Sequence, residues 1–475
     1  MDEIIVIGGG LAGCEAALQI AKRKIKVKLY EMKPHKYSDA HSNSNLGEVV
    51  CSNSFKSNLL TNACGLLKEE LRILGSELIK IADSVSVPAG QALAVDRDKF
   101  AERVTQEIEK NEYIELIREE VVKIPEDKIV IIATGPLTSD SMYQEILKLT
   151  GEENLFFYDA AAPIIEKDSI DMNIAFYGNR YEQERGKEED IDVWKERISK
   201  QDESYINLPM NKEEYELFYE ELVNAEVVTL HEFEKREIFE GCMPIEIMAK
   251  RGIDTLRFGP LKPVGFTDLR TGRRPYAIVQ LRQDNSEGTL YNIVGFQTNL
   301  KYGEQKKVFS MIPGLNNANF VKYGVMHRNT FINSTKLLDN TYNMKKNRNI
   351  FFAGQITGVE GYVESISSGF VAAINAVELW NIYNEQNHLS NLNLHKNIEE
   401  LGYIYEKRKK TFLKETVIGA LSNYISTENH KFQPMNANFG ILPELDEKIR
   451  DKKERYNKLA NRSLQIMDKI KKDIM

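Results

Sequence analysis

An α/β fold is what this sequence predicts, and three stretches predict it. The chain opens "DEIIVIGGGLAGCEAALQIAKRKIKVKLYE", an apolar strand, a glycine turn, a helix and a second strand. Two distant segments, "KIVIIATGP" (128–136) and "NIFFAGQITGVEGYVESISSGFVAAINA" (349–376), each read as a buried strand that ends in a glycine turn. Short apolar strands feeding helices through such turns build a parallel sheet with helices on its faces.

The opening unit is a βαβ with a dinucleotide-binding turn, Gly8, Gly9, Gly10, Leu11, Ala12 and Gly13. Gly8 permits the tight turn, Gly10 lets the backbone approach a pyrophosphate, and Gly13 lets helix and strand pack closely. A diphosphate would then sit against the helix N-terminus, where unbonded N–H groups point. Glu31 closes the second strand, a spacing that suits a carboxylate accepting hydrogen bonds from an adenosine ribose. The later strands end at Gly135 and at Gly354 and Gln355, which a resemblance to FAD-binding proteins makes cofactor contacts.

Four cysteines, Cys14, Cys51, Cys64 and Cys242, show no paired spacing, which argues against a disulfide framework or a zinc site in so long a chain. No metal is expected. Cys14 lies on the first helix and Cys64 at a helix entrance, where a cysteine is usually a small buried hydrophobe. Cys51 sits in polar "VVCSNSFKSN" and Cys242 in "EGCMPIE", a loop bracketed by glycine and proline. Neither flank is core-like, so these two thiols are the candidates for chemistry.

The 475 residues carry 42% hydrophobic content and a formal net charge of -8, enough for two domains and a sizeable core. No window approaches the roughly 20 apolar residues of a membrane span, and the N-terminus enters a strand directly, so a cytoplasmic protein with no membrane partner is expected. The net charge gives no global attraction to nucleic acid; an RNA ligand would need a local basic face. Residues 250–282 supply one in Lys250, Arg251, Arg257, Lys262, Arg270, Arg273, Arg274 and Arg282, against only Asp254 and Asp268. His327 and Arg328 in "GVMHRNTF" are a further polar pair, with a core role for the histidine as the plainer reading. The terminal stretch 444–475 has apolar residues at helical spacing and reads as a packed helix.

The two strand–glycine segments resemble those of glutathione-reductase-like FAD proteins, although an acid usually follows the late glycine there and Gln355 stands here. A narrower likeness covers residues 2–445. The blocks "CSNSFKSN", "SVPAGQALAVDRDKF", "FEGCMPIEIMAKRG", "RFGPLKPVGF", "YNIVGFQTNLKYGEQK" and "FFAGQITGVEGYVES" closely resemble the folate- and FAD-dependent RNA (uracil-5-)methyltransferases. That resemblance implies a glutathione-reductase-like FAD-binding domain over 1–165 and 325–445, a smaller inserted α+β domain over 166–324 that presents RNA, and a C-terminal helix over 446–475. It implies FAD, 5,10-methylenetetrahydrofolate as one-carbon donor and NAD(P)H as reductant. To Cys242 it carries the attack on uracil C6, and to Cys51 the part of base or second thiol. C5 of uracil is a poor nucleophile until a thiolate adds at C6, which is why such an enzyme needs lone thiols.

Two departures bear on the RNA. The stretch 180–206 is longer than the family usually has, acidic and helix-prone, and "YINLPM" places Leu208 where the family carries a cysteine. "AHSNSNLGEVVCSNS" also strays upstream of Cys51 while keeping His41. The tRNA T-loop uridine is the first expectation, and a ribosomal RNA uridine modified by the same chemistry is the alternative. A flavin-dependent NAD(P)H oxidoreductase would need a redox cysteine pair and a second GxGxxG, neither of which the chain has. A non-catalytic partner in wobble-uridine modification is disfavoured by the chain's length and its "EGCMPIE" block.

Overall fold

The computed structural model describes residues 2–38, 40–151, 155–160, 162–182, 185–186, 188–199, 205–228, 243–324, 326–390, 398–429 and 432–474. Its first layer is a five-stranded parallel sheet in the order Ile350–Phe352, Ile129–Ile132, Glu3–Ile7, Lys26–Tyr30, Ile114–Ile117. Ile129–Ile132 is buried at every position, as a strand covered on both faces must be. The helix Leu11–Lys22 packs beside the long helix Tyr362–Ser390, and glycine makes the contact possible: a Cβ on Gly369 would lie 2.2 Å from the Ala12 carbonyl oxygen. The first and last motifs of the sequence thus meet over one sheet.

A small antiparallel sheet, Ser54–Ser57 with Ala92–Val95 and Ser86–Val87, continues from the Cys51 segment. The chain leaves and re-enters this region through the antiparallel pair Leu155–Ala160 and Met326–Phe331. Between them lies a second, six-stranded antiparallel sheet. Its order is Phe176–Tyr177, Tyr205–Met210, Ala277–Gln283, Leu290–Ile293, Ile164–Glu166, Phe320–Lys322, so the last of these is an edge. The helix Lys212–Asn224, started by an Asn211–Glu214 capping box, buries Tyr215, Phe218 and Leu222 in the core of this sheet.

Leu208 is fully buried in that second core, with its side chain against Gly314. Its departure from the family cysteine therefore changes interior packing and leaves any RNA-facing surface untouched, which corrects the weight given to it above. The acidic stretch forms the helix Ile191–Ser199, anchored by buried Trp194. The terminal stretch forms the helix Lys452–Ile474, which buries Leu459, Ala460, Ser463 and Met467. No helix among the described residues is long and apolar enough to cross a membrane.

Candidate active site

A cleft runs along the C-terminal ends of the parallel strands, which is where open α/β sheets bind ligands. Gly8, Gly9, Gly10, Leu11, Ala12, Glu31, Gly135, Gly354 and Gln355 all line it. Gly8 has φ +108°, and a Cβ there would sit 2.5 Å from the Ala133 carbonyl oxygen. Gly13 does not face the cleft; its missing Cβ would fall 1.9 Å from the Gly8 carbonyl oxygen, so its part is close packing beneath the turn.

Gly10 caps the helix Leu11–Lys22 without a side-chain hydrogen bond, and a Cβ on Gly10 or Gly135 would meet nothing within 4 Å. Bare backbone, unbonded helix N–H groups and open space are what a diphosphate requires. Glu31 holds the turn as well as lining the cleft: its carboxylate accepts the Gly9 N–H at 2.8 Å and the Lys33 N–H at 2.9 Å. At the other end Gly354 adopts φ +82°, its N–H donates to Ser368 Oγ at 2.7 Å, and the Gln355 amide donates to Glu360 Oε1 at 2.7 Å. These residues fit FAD: a glycine cradle for the diphosphate, an acid for the ribose and a further glycine turn at Gly354 and Gln355 lining the same cleft.

Cys51 stands beside this cleft, half-buried. The N–H groups of Cys51 and Ser52 both donate to the Tyr362 hydroxyl, at 3.0 and 3.1 Å, and Tyr362 itself lines the cleft. Arg97 donates to the Val49 carbonyl at 2.9 Å and pairs with Asp284 at 2.9 Å. Asn53 donates to the carbonyls of Val95 at 3.0 Å and Gln283 at 2.8 Å. The thiol-bearing loop is thus pinned at the junction between the first unit and the strand Ala277–Gln283 of the second sheet. Cys242 lies outside the described residues; Met243, Pro244 and Ile245, which follow it, are buried.

Cys14 and Cys64 behave as core residues. Cys14 donates to the Gly9 carbonyl at 3.2 Å, and burial drives its thiol far above the ordinary range. Burial, aided by Glu364, pushes the Cys64 thiol up to about 12. Neither is a thiolate at neutral pH, so neither is a nucleophile.

The basic stretch divides. Arg282 is buried, donating to Asn53 Oδ1 at 2.9 Å and Ser52 Oγ at 2.6 Å. It braces the Cys51 loop and cannot meet a phosphate at the surface, which corrects its sequence assignment: charge was legible, its partners were not. Arg257 stacks on the Tyr276 ring at 3.5 Å to the centroid and donates to the Tyr276 carbonyl at 3.0 Å, so it too is committed within the chain. Lys250, Arg251, Lys262, Arg273 and Arg274 are exposed. His327 and Arg328 lie on the strand Met326–Phe331, and their side chains are outside what is described.

Sequence reasoning missed Tyr362, Arg97 and Lys322. Lys322, on the edge strand of the second sheet, is half-buried, and burial holds its ammonium below the ordinary range. His41 lines the cleft with its Nδ1 2.5 Å from Ser38 Oγ, and burial, with Lys33 next, holds its imidazole below the ordinary range. Among the described residues no cluster of His, Cys, Asp and Glu is placed to hold a metal.

The chain is similar to known proteins over nearly its whole length. The profile of the family described as "Glucose inhibited division protein A" matches residues 3–382. A protein of Acetivibrio thermocellus named methylenetetrahydrofolate–tRNA-(uracil-5-)-methyltransferase TrmFO is 57% identical over 98% of each chain. One of the same name from Fusobacterium nucleatum is 56% identical, again over 98% of each. Among solved structures, two crystal forms of Aquifex aeolicus GidA superpose with TM-scores of 0.64 and 0.65 at 17% identity. They cover 99% of this chain and 73% and 76% of theirs, a likeness of fold.

Proposed function

The chain belongs to the glucose inhibited division protein A family and, within it, to the methylenetetrahydrofolate–tRNA-(uracil-5-)-methyltransferases, and from that membership we propose that it methylates C5 of a tRNA uridine with a folate one-carbon unit. The observation that carries this reading is identity above one half over 98% of proteins bearing that name, in a chain whose glycine-lined cleft fits FAD and adjoins a half-buried thiol. The T-loop uridine is the target we assign, and NAD(P)H the electron source. Leu208 no longer argues for a different RNA, and the relatives named above are tRNA enzymes.

FAD, when bound, supplies the methylene-carrying and hydride-returning chemistry that no side chain provides. The chain's own residues do the rest. The turn from Gly8 to Ala12 and Glu31 would hold the dinucleotide, with Gly135, Gly354 and Gln355 lining the rest of the cleft. Cys242 adds as a thiolate to uracil C6, which places electron density on C5 for bond formation. Cys51 takes the C5 proton afterwards, and collapse of the adduct expels Cys242. Tyr362 and Arg282 fix the loop on which Cys51 rides. Exposed Lys250, Arg251, Lys262, Arg273 and Arg274 offer phosphate contacts, which position RNA without reading its sequence. A base presented this way must leave its stack to reach a thiol and a flavin.

Deleting the gene and mapping 5-methyluridine separately in tRNA and large-subunit rRNA tests the assignment. Loss from tRNA alone is expected; loss from rRNA alone would overturn the target, and loss from neither would overturn the function.

A further inference from the structure

The helix Tyr302–Phe309 and the edge strand Phe320–Lys322 carry a run of rings with no part in the chemistry above. Tyr302 stacks on Tyr323 with centroids 5.2 Å apart and planes at 23°. Tyr323 stacks on Phe320 at 5.6 Å and 10°, and Phe320 leans at 6.5 Å on Phe309, which is fully buried. The ladder starts in the second core and climbs to Tyr302, which is 59% exposed.

The stack is held by a buried side chain. Gln305 donates to the Gly324 carbonyl and accepts the Gly324 N–H, both at 2.8 Å, and donates to the Leu300 carbonyl at 2.7 Å. One amide thereby fixes Gly324 just after Tyr323 and Leu300 two residues before Tyr302. Rings fixed in advance lose little freedom when a ligand lands on them.

Position and charge select the ligand. Tyr323 directly follows the edge strand Phe320–Lys322 of the sheet whose strand Ala277–Gln283 braces the Cys51 loop through Arg282 and Gln283, so the ladder belongs to the unit that abuts the reaction site. Lys301 caps the N-terminus of the helix and Lys306 and Lys307 lie in its last turn, all three exposed, with Glu304 in the first turn between them. Lys301 and Lys307 form surface pairs with Glu226 and Glu221, contacts weak enough for a phosphate to replace. A flat ring bordered by lysines suits an anionic polymer with π-faced units better than an aliphatic protein surface.

We propose that the Tyr302–Tyr323 stack is a platform on which an unpaired base close to the target uridine stacks when RNA is seated. This rests on the reading that the substrate is a tRNA uridine. The platform orders the strand that leads to the thiol, and the lysines hold its phosphates.

The test is equilibrium binding of an unmodified tRNA transcript to FAD-loaded protein, with flavin content and molecular mass in solution measured on each variant. Tyr302→Ala should weaken binding about tenfold, Tyr302→Trp should stay within about twofold of wild type, and flavin content should not change. Wild-type affinity in Tyr302→Ala overturns the platform, as does equal weakening by Ala and Trp. A change of molecular mass in Tyr302→Ala with tRNA affinity intact would make the face a contact between copies, which also overturns it. Wild-type protein that binds no tRNA removes the substrate reading itself, an outcome distinct from binding that Tyr302→Ala shares.

Discussion

The hydroxyl of Tyr362 accepts the backbone N–H of Cys51 at 3.0 Å across 311 residues of chain. It accepts the Ser52 N–H as well, at 3.1 Å, so one phenol sets the loop that carries the thiol. Tyr362→Phe leaves two partly buried donors without their acceptor, at about 1–3 kcal/mol each where water cannot reach. The expected outcome is methyl transfer slowed at least about tenfold with flavin still bound, read by single-turnover assay and flavin absorbance. Unchanged turnover would show that the loop holds its place without the tyrosine.

Gly10→Asp should abolish FAD binding. The new side chain projects into open cleft, where a Cβ meets nothing within 4 Å, and brings a carboxylate to the place a diphosphate occupies. Gly13→Ala should fail differently, by destabilising the apoprotein, because its Cβ would strike the Gly8 carbonyl oxygen at 1.9 Å. Flavin content and thermal unfolding of the two variants separate these effects.

How much of this was legible in the sequence follows from where the constraint lies. The glycine turn and Glu31 could be read because a tight turn, a helix start and a strand end lie within about thirty residues and dictate one another. The Cys51–Tyr362 contact could not, since local pattern carries no signal across so many residues. Arg282 shows the opposite error: its charge is visible in sequence, yet only the fold shows Ser52 and Asn53 consuming it. Leu208 misled for a similar reason, because its burial against Gly314 depends on a strand pairing that composition does not reveal. Cys14 and Cys64 were readable as core residues, being on or at the start of amphipathic helices.

The thiols should separate in one series. Cys51→Ala and Cys242→Ala should each lose methyl transfer while keeping FAD, since both act in chemistry. Cys14→Ala and Cys64→Ala should keep most activity and lose about 1 kcal/mol or slightly more of stability through the small cavity left behind. Full activity in Cys242→Ala would remove the nucleophile assignment.

Glu70 gives the stability a pH dependence. It is fully buried, accepts the N–H groups of Val417 and Ile418 at 2.8 and 2.9 Å and the Ser463 hydroxyl, and burial pushes its carboxyl up to about 7. The unfolded carboxyl titrates near the ordinary value of about 4.3, so between roughly pH 4 and 7 the folded state binds the proton more tightly. Its contribution is therefore most favourable below that window and falls as pH rises through it, by an amount on the order of 3 kcal/mol. Glu70→Gln, which removes the titration but sets an amide NH2 against the Val417 or Ile418 N–H, should start less stable than wild type at low pH and gain on it by that amount between pH 4.5 and 7.5 in urea unfolding. A constant difference across this range would contradict the assignment.

The most direct test of the whole account is reconstitution with label in the donor. Purified FAD-loaded protein, NAD(P)H, an unmodified tRNA transcript and methylenetetrahydrofolate carrying isotope in its methylene group are combined, and the RNA is digested to nucleosides. The account predicts labelled 5-methyluridine, at one position per transcript and only when FAD is present. Flavin-loaded protein that binds the transcript yet forms no labelled 5-methyluridine would contradict it.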